Sequence, residues 1–128
     1  MASGGLVHRL DLVFYWVSDL DRAVHFYGNV LGLDLSRRDG GNWAEFDVGG
    51  RRFALHAAAE GKPVQPGGAT AVFSVDDLDA AKAELAAQGV PIEHEGDVQG
   101  YARFASCRDP DGNTFQLIEY SSVPGKDR

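Results

Sequence analysis

The chain has 128 residues, 44% of them hydrophobic and 24% charged, with a formal charge of −7. That length and apolar content suffice for one folded domain with a core, and the acidity argues against nucleic-acid and membrane partners, since phosphate backbones and anionic lipid repel it. The short basic pairs Arg37-Arg38 and Arg51-Arg52 are too scattered to reverse this, and the single cysteine, Cys107, excludes an intrachain disulfide or a thiolate metal cluster.

Met1 to Gly5 lacks the apolar region of a signal peptide, and no apolar run reaches membrane-spanning length, so a cytoplasmic protein is expected. Leu10 to Val17 is an apolar, aromatic-rich strand. Ser18 or Asp19 then offers a side-chain acceptor for the first amides of a helix, with Asp21 in its first turn. Leu20, Ala23, Val24, Tyr27 and Leu31 form one helical stripe, and Gly32 is a stop. Trp43 to Val48 and Arg51 to Ala57 flank Gly49-Gly50 as a hairpin. Glu60 to Gly68, rich in proline and glycine, is a linker. Ala69 to Val75 is the next strand, with Asp76 or Asp77 as cap for a helix marked by Leu78, Ala81 and Leu85 and ended by Gly89 and Pro91. Tyr101 to Cys107 and Thr114 to Tyr120 form a closing hairpin around Asp109-Pro110-Asp111-Gly112-Asn113, whose composition makes Asp109 and Asp111 turn formers rather than a catalytic pair. The tail from Val123 to Arg128 reads as frayed.

The chain repeats itself. Val17-Ser18-Asp19-Leu20-Asp21-Arg22-Ala23 returns as Val75-Asp76-Asp77-Leu78-Asp79-Ala80-Ala81, shifted by 58 positions (17 to 75). Gly50-Arg51-Arg52-Phe53-Ala54-Leu55 returns as Gly112-Asn113-Thr114-Phe115-Gln116-Leu117, shifted by 62 (50 to 112). Two matches in the same order mark a duplication, with four residues added in the second copy, most naturally in a hairpin loop. The expected fold is α+β: two βαβββ modules forming a cup-shaped, mostly antiparallel sheet with helices on its outer face. The first module spans about 8–57, a linker 58–68, and the second about 69–120.

Two motifs carry a family resemblance. Val17-x-Asp19-Leu20-Asp21-x-Ala23-x-x-Phe26-Tyr27-x-x-Val30-Leu31-Gly32 and Asp109-Pro110-Asp111-Gly112-Asn113-x-x-x-Leu117-Ile118-Glu119 resemble the vicinal oxygen chelate superfamily. Its members include glyoxalase I, extradiol dioxygenases, fosfomycin-resistance enzymes and bleomycin-binding proteins. The resemblance covers residues 8 to 120 and implies the fold more strongly than the function. It also implies where metal ligands would stand: Leu12 and Thr70 on the first strand of each module, Ala54 and Gln116 on the last. The internal repeat pairs the same positions. Leu and Ala have no lone pair to give, and the Thr hydroxyl and Gln amide are weak neutral donors. No metal and no cofactor are expected. A displaced site would need His56, two residues after Ala54, with Glu45 or Asp47 from the neighbouring strand. Against that stands a His56 that hydrogen-bonds a ligand or water, or lies at the rim. His8, His25 and His94 read as surface residues, and Cys107 as a small buried hydrophobe.

If Leu12 faces the cup, strand alternation brings Phe14 and Trp16 with it and turns Val13, Tyr15 and Val17 toward the helix. Thr70, Val72 and Ser74 then face inward, as do Ala54, His56 and Gln116. Trp43 and Glu45 join them above Phe46, and Arg103 is a charged contributor. The expected ligand-binding set is Leu12, Phe14, Trp16, Trp43, Glu45, Ala54, His56, Thr70, Arg103 and Gln116. Three functions fit. The first is metal-independent binding, even sequestration, of an aromatic or amphipathic small molecule, as in bleomycin-resistance-type proteins. The second is a lyase, isomerase or dioxygenase using a noncanonical metal or His56 and Glu45 as acid and base. The third is an interaction module without ligand. The resemblance also implies a homodimer.

Overall fold

The computed structural model describes residue 6 and residues 10–121. His8, the Met1 to Gly5 segment and the tail from Val123 lie outside the described residues. The chain divides between Pro63 and Val64 into two compact units, a boundary inside the segment expected to be a linker.

In the first unit the order is β1 (Val13–Val17), α1 (Leu20–His25), β2 (Asp34–Asp39), β3 (Trp43–Val48) and β4 (Arg51–Ala57). In the second it is β5 (Ala71–Ser74), α2 (Leu78–Ala87), β6 (His94–Val98), β7 (Ala102–Arg108) and β8 (Thr114–Tyr120). The sheets run β1-β4-β3-β2 and β5-β8-β7-β6, so the fold is α+β with two βαβββ modules. Each sheet is mixed: β1 pairs with β4, and β5 with β8, in parallel, while the other pairs are antiparallel. A helix and two further strands separate the parallel partners, and such a crossover returns the chain in the same direction.

Both helices start on an aspartate in extended conformation. Asp19 accepts the Arg22 N–H and Asp77 the Ala80 N–H, each at 3.0 Å, so Asp19 rather than Ser18, and Asp77 rather than Asp76, is the cap. The first helix does not stay regular to Leu31. After His25 it widens into a π-helical turn, Phe26–Val30, where Leu31 N–H bonds Phe26 O at 2.9 Å. This shifts the buried face to Leu20, Ala23, Phe26 and Tyr27, leaving Val24 and Leu31 half-buried. Gly32 ends the turn at φ 80°, a conformation that glycine adopts without strain.

Each helix covers one face of its own sheet. In the first unit Tyr15, Val17, Ala44, Phe46, Phe53 and Leu55 are buried with Tyr27, whose ring lies 5.0 Å from Phe53 and 6.4 Å from Phe46. In the second unit Ala105, Cys107, Phe115 and Leu117 are buried with Leu78 and Leu85. Burial, with the Glu93 charge second, pushes the Cys107 thiol above its ordinary range, as for an inert core residue. His25 and His94 are exposed.

The sequence repeat holds in the register. Shifts of 58 and 62 carry Phe14 onto Val72 and Ala54 onto Gln116, and Phe14↔Ala54 and Val72↔Gln116 are both strand partners. The extra length enters mainly at the β6–β7 hairpin. Asp39 faces Trp43 across the β2–β3 turn, whereas its counterpart Gly96 faces Phe104 across a longer loop. The Phe104 ring lies over Gly96 so closely that a Cβ there would overlap it. Gly96→Ala should therefore push Phe104 off its position and cost about 1–3 kcal/mol, read as a lowered thermal midpoint. Unchanged stability would mean that the ring turns away freely.

Candidate functional site

On the face of the first sheet opposite α1, side chains of three strands project together. Phe14 and Trp16 come from β1, Ala54 and His56 from β4, and Trp43 and Glu45 from β3. Register aligns them in two rows: Trp16, His56 and Trp43, then Phe14, Ala54 and Glu45. Alternation explains the choice, because Tyr15, Leu55 and Ala44 between them turn to the buried side.

The rings meet. Trp16 lies tilted over His56 at 4.4 Å, while Trp43 approaches His56 edge-on at 5.6 Å. Phe14 stands 5.5 Å from Trp16, 5.6 Å from Trp43 and 5.7 Å from His56. Phe14 is 38% and Trp16 49% exposed, so the cluster is a surface of ring faces and edges rather than a closed core. The His56 Nδ1 is 3.0 Å from Ala57 O. A carbonyl only accepts, so Nδ1 carries the proton in this contact.

Glu45 is buried beside these rings. Trp43 Nε1 donates to its Oε2 at 2.9 Å, and Arg52 to its Oε1 at 3.2 Å. Arg52 also donates to Asp11 at 2.6 Å. The bond to Asp11, above all, holds the guanidinium pKa above its usual value. Both carboxylate oxygens of Glu45 are thus engaged. Asp47 is spent otherwise, accepting the Gly50 N–H at 3.1 Å.

The remaining expected residues lie outside these three strands. Leu12 is half-buried and precedes β1, which starts at Val13 instead of Leu10. Thr70 and Gln116 belong to the second unit. Thr70 is exposed just before β5, and Gln116 on β8 donates from Nε2 to Ser106 Oγ at 3.0 Å. Arg103 lies on the helix-bearing face of its sheet. It shares parity with the buried Ala105 and Cys107, and its guanidinium donates to Asp79 on α2 at 2.7 Å. That bond lowers the Asp79 pKa. The motif residue Glu119 has a role that sequence reasoning missed, accepting the Leu78 N–H at the start of α2 at 2.8 Å.

These donors do not fit a divalent ion. Two of the four implied positions have no lone pair, and the other two offer only neutral oxygen donors. Among the described residues no three His, Cys, Asp or Glu side chains converge as a metal group, and none of the helices is long and apolar enough to cross a membrane.

Known proteins share this architecture. A protein of Mycolicibacterium smegmatis is 32% identical over 116 residues, covering 91% of this chain and 96% of its own. The crystal structure of TnmS3, an antibiotic-binding protein from a Streptomyces species, matches with a TM-score of 0.72 and 28% identity over 91% of this chain and 99% of its own. Lactoylglutathione lyase from Agrobacterium tumefaciens matches with a TM-score of 0.73 and 25% identity over 87% of this chain and 92% of its own. Residues 9–117 fit the sequence pattern of the Glyoxalase/Bleomycin resistance protein/Dioxygenase superfamily, and the chain belongs to that superfamily.

Proposed function

We propose that the protein binds an aromatic or amphipathic small molecule without a metal ion, as an antibiotic-binding member of its superfamily. The observation that carries this reading is the open cluster of Phe14, Trp16, Trp43 and His56. The donor-poor metal positions and the likeness to an antibiotic-binding protein support it. Stacking contributes about 0.5–1.5 kcal/mol per ring pair beyond area burial. A few such contacts with burial reach about −8 kcal/mol, or micromolar affinity.

The test is a titration followed by tryptophan fluorescence, using acridine orange, a planar cation, and anilinonaphthalene sulfonate, an amphipathic anion. At least one should quench Trp16 and Trp43 with a Kd on the order of micromolar. Phe14→Ala should weaken that binding about tenfold, and EDTA should leave it unchanged. Stoichiometric tight uptake of zinc, nickel, manganese or ferrous ion, or loss of binding in EDTA, would refute the proposal.

A further inference from the structure

We infer that Glu45 is a positioning residue: by accepting the Trp43 indole N–H it holds that ring edge-on to Phe14 and His56, building one wall of the aromatic face before a ligand arrives. The inference rests on the binding function proposed above. A carboxylate that is 7% exposed beside aromatic rings is costly unless its lone pairs are met. Here Trp43 and Arg52 meet them, at 2.9 and 3.2 Å, and Asp11 anchors Arg52 in turn at 2.6 Å. The series Asp11–Arg52–Glu45–Trp43 thus ties the indole to β3, to β4 and to the segment before β1.

The chemistry matches the need. An indole on an open sheet face turns about two side-chain torsions, and a ring already fixed loses less entropy when a ligand stacks on it. Trp43 sits at interplanar angles of 61° to Phe14 and 86° to His56, contacts that persist only if the ring keeps its orientation. The second unit is a natural control. The counterparts of Trp43 and Glu45 in its register are Phe104 and Ser106. Phenylalanine has no N–H to anchor, and the serine at the second position carries no carboxylate.

The protein has two tryptophans, so Trp16→Phe leaves Trp43 as the sole emitter for time-resolved anisotropy. In that background the ring should tumble with the whole protein, and still do so with Glu45→Gln, whose amide oxygen accepts the same N–H. Glu45→Leu, similar in bulk but without an acceptor, should add a sub-nanosecond wobble. In protein retaining Trp16, Glu45→Leu should bind anilinonaphthalene sulfonate about tenfold more weakly, and Glu45→Gln within about twofold of the parent. A residue that only supports the fold predicts no rescue by Gln, because Gln breaks the Arg52 ion pair and would do no better than Leu. Equal anisotropy decays in parent and Glu45→Leu, or no rescue by Gln, overturn the inference. If Glu45→Leu does not fold, the unaltered protein decides by NMR. The Trp43 indole proton should be protected from solvent exchange, and rapid exchange overturns the inference. Should the parent bind no probe, the binding function falls while the anisotropy still decides the positioning role.

Discussion

Phe46→Ala should destabilise the protein by about 3–5 kcal/mol, the range for removing a large buried aromatic. Phe46 has no exposed surface and lies 6.4 Å from both the Tyr27 and Phe53 rings, at the layer where α1 and its π-helical turn meet the sheet. Its loss opens a cavity that β3 cannot close, because Ala44 on the same side is small and buried too. Urea unfolding followed by far-UV circular dichroism should show a midpoint lower by on the order of 2 M. Glu45 and Trp43 are its neighbours on the other side of the same strand, so probe binding should weaken with stability. A loss below about 1 kcal/mol would mean that the first unit does not rely on this layer.

Asp109→Ala should cost about 2–4 kcal/mol in the second unit. Asp109 is buried, and its carboxylate accepts the Asp111 N–H at 2.9 Å, the Asn113 N–H at 2.8 Å and the Asn113 side-chain amide at 3.0 Å. Alanine removes the acceptor of all three bonds in the turn joining β7 to β8. Asp109→Asn should fall between, because its amide oxygen still serves the backbone donors while its NH₂ opposes that of Asn113. Thermal unfolding of the three proteins should rank them Asp, Asn, Ala. An alanine variant as stable as the parent would show that the turn closes on its backbone bonds alone.

That turn was legible in advance because its chemistry is local. The run Asp109-Pro110-Asp111-Gly112-Asn113 can scarcely form anything else, and Gly112 takes φ 88° as such a bend requires. The β3–β4 hairpin was legible for the same reason, with Gly49 and Gly50 at φ 61° and 84° between two patterned strands. By contrast, β2 and β6 were not delineated residue by residue. Every residue of β2 is exposed, and an edge strand wet on both sides has no apolar alternation to betray it. The π-helical turn was hidden too, since apolar residues at helical spacing fit a regular helix just as well until packing chooses.

The candidate site divides along the same line. Strand parity placed Phe14 and Trp16 on one face and Trp43 and Glu45 on one face, and the repeat aligned Ala54 with Gln116. The absence of good donors at the implied metal positions was likewise written in residue identity, because lone pairs belong to the side chain and not to the fold. Register between strands is a nonlocal property, so only the tertiary structure brought Trp16, His56 and Trp43 into one row. It also turned Arg103 to the helix side, where Asp79 awaited it. Glu45 shows the limit most plainly: sequence offers a carboxylate that could be a ligand, a base or a contact. Its partners Trp43 and Arg52, with Asp11 behind Arg52, come together only when three parts of the chain fold side by side, and burial among them makes the carboxylate an anchor for a ring.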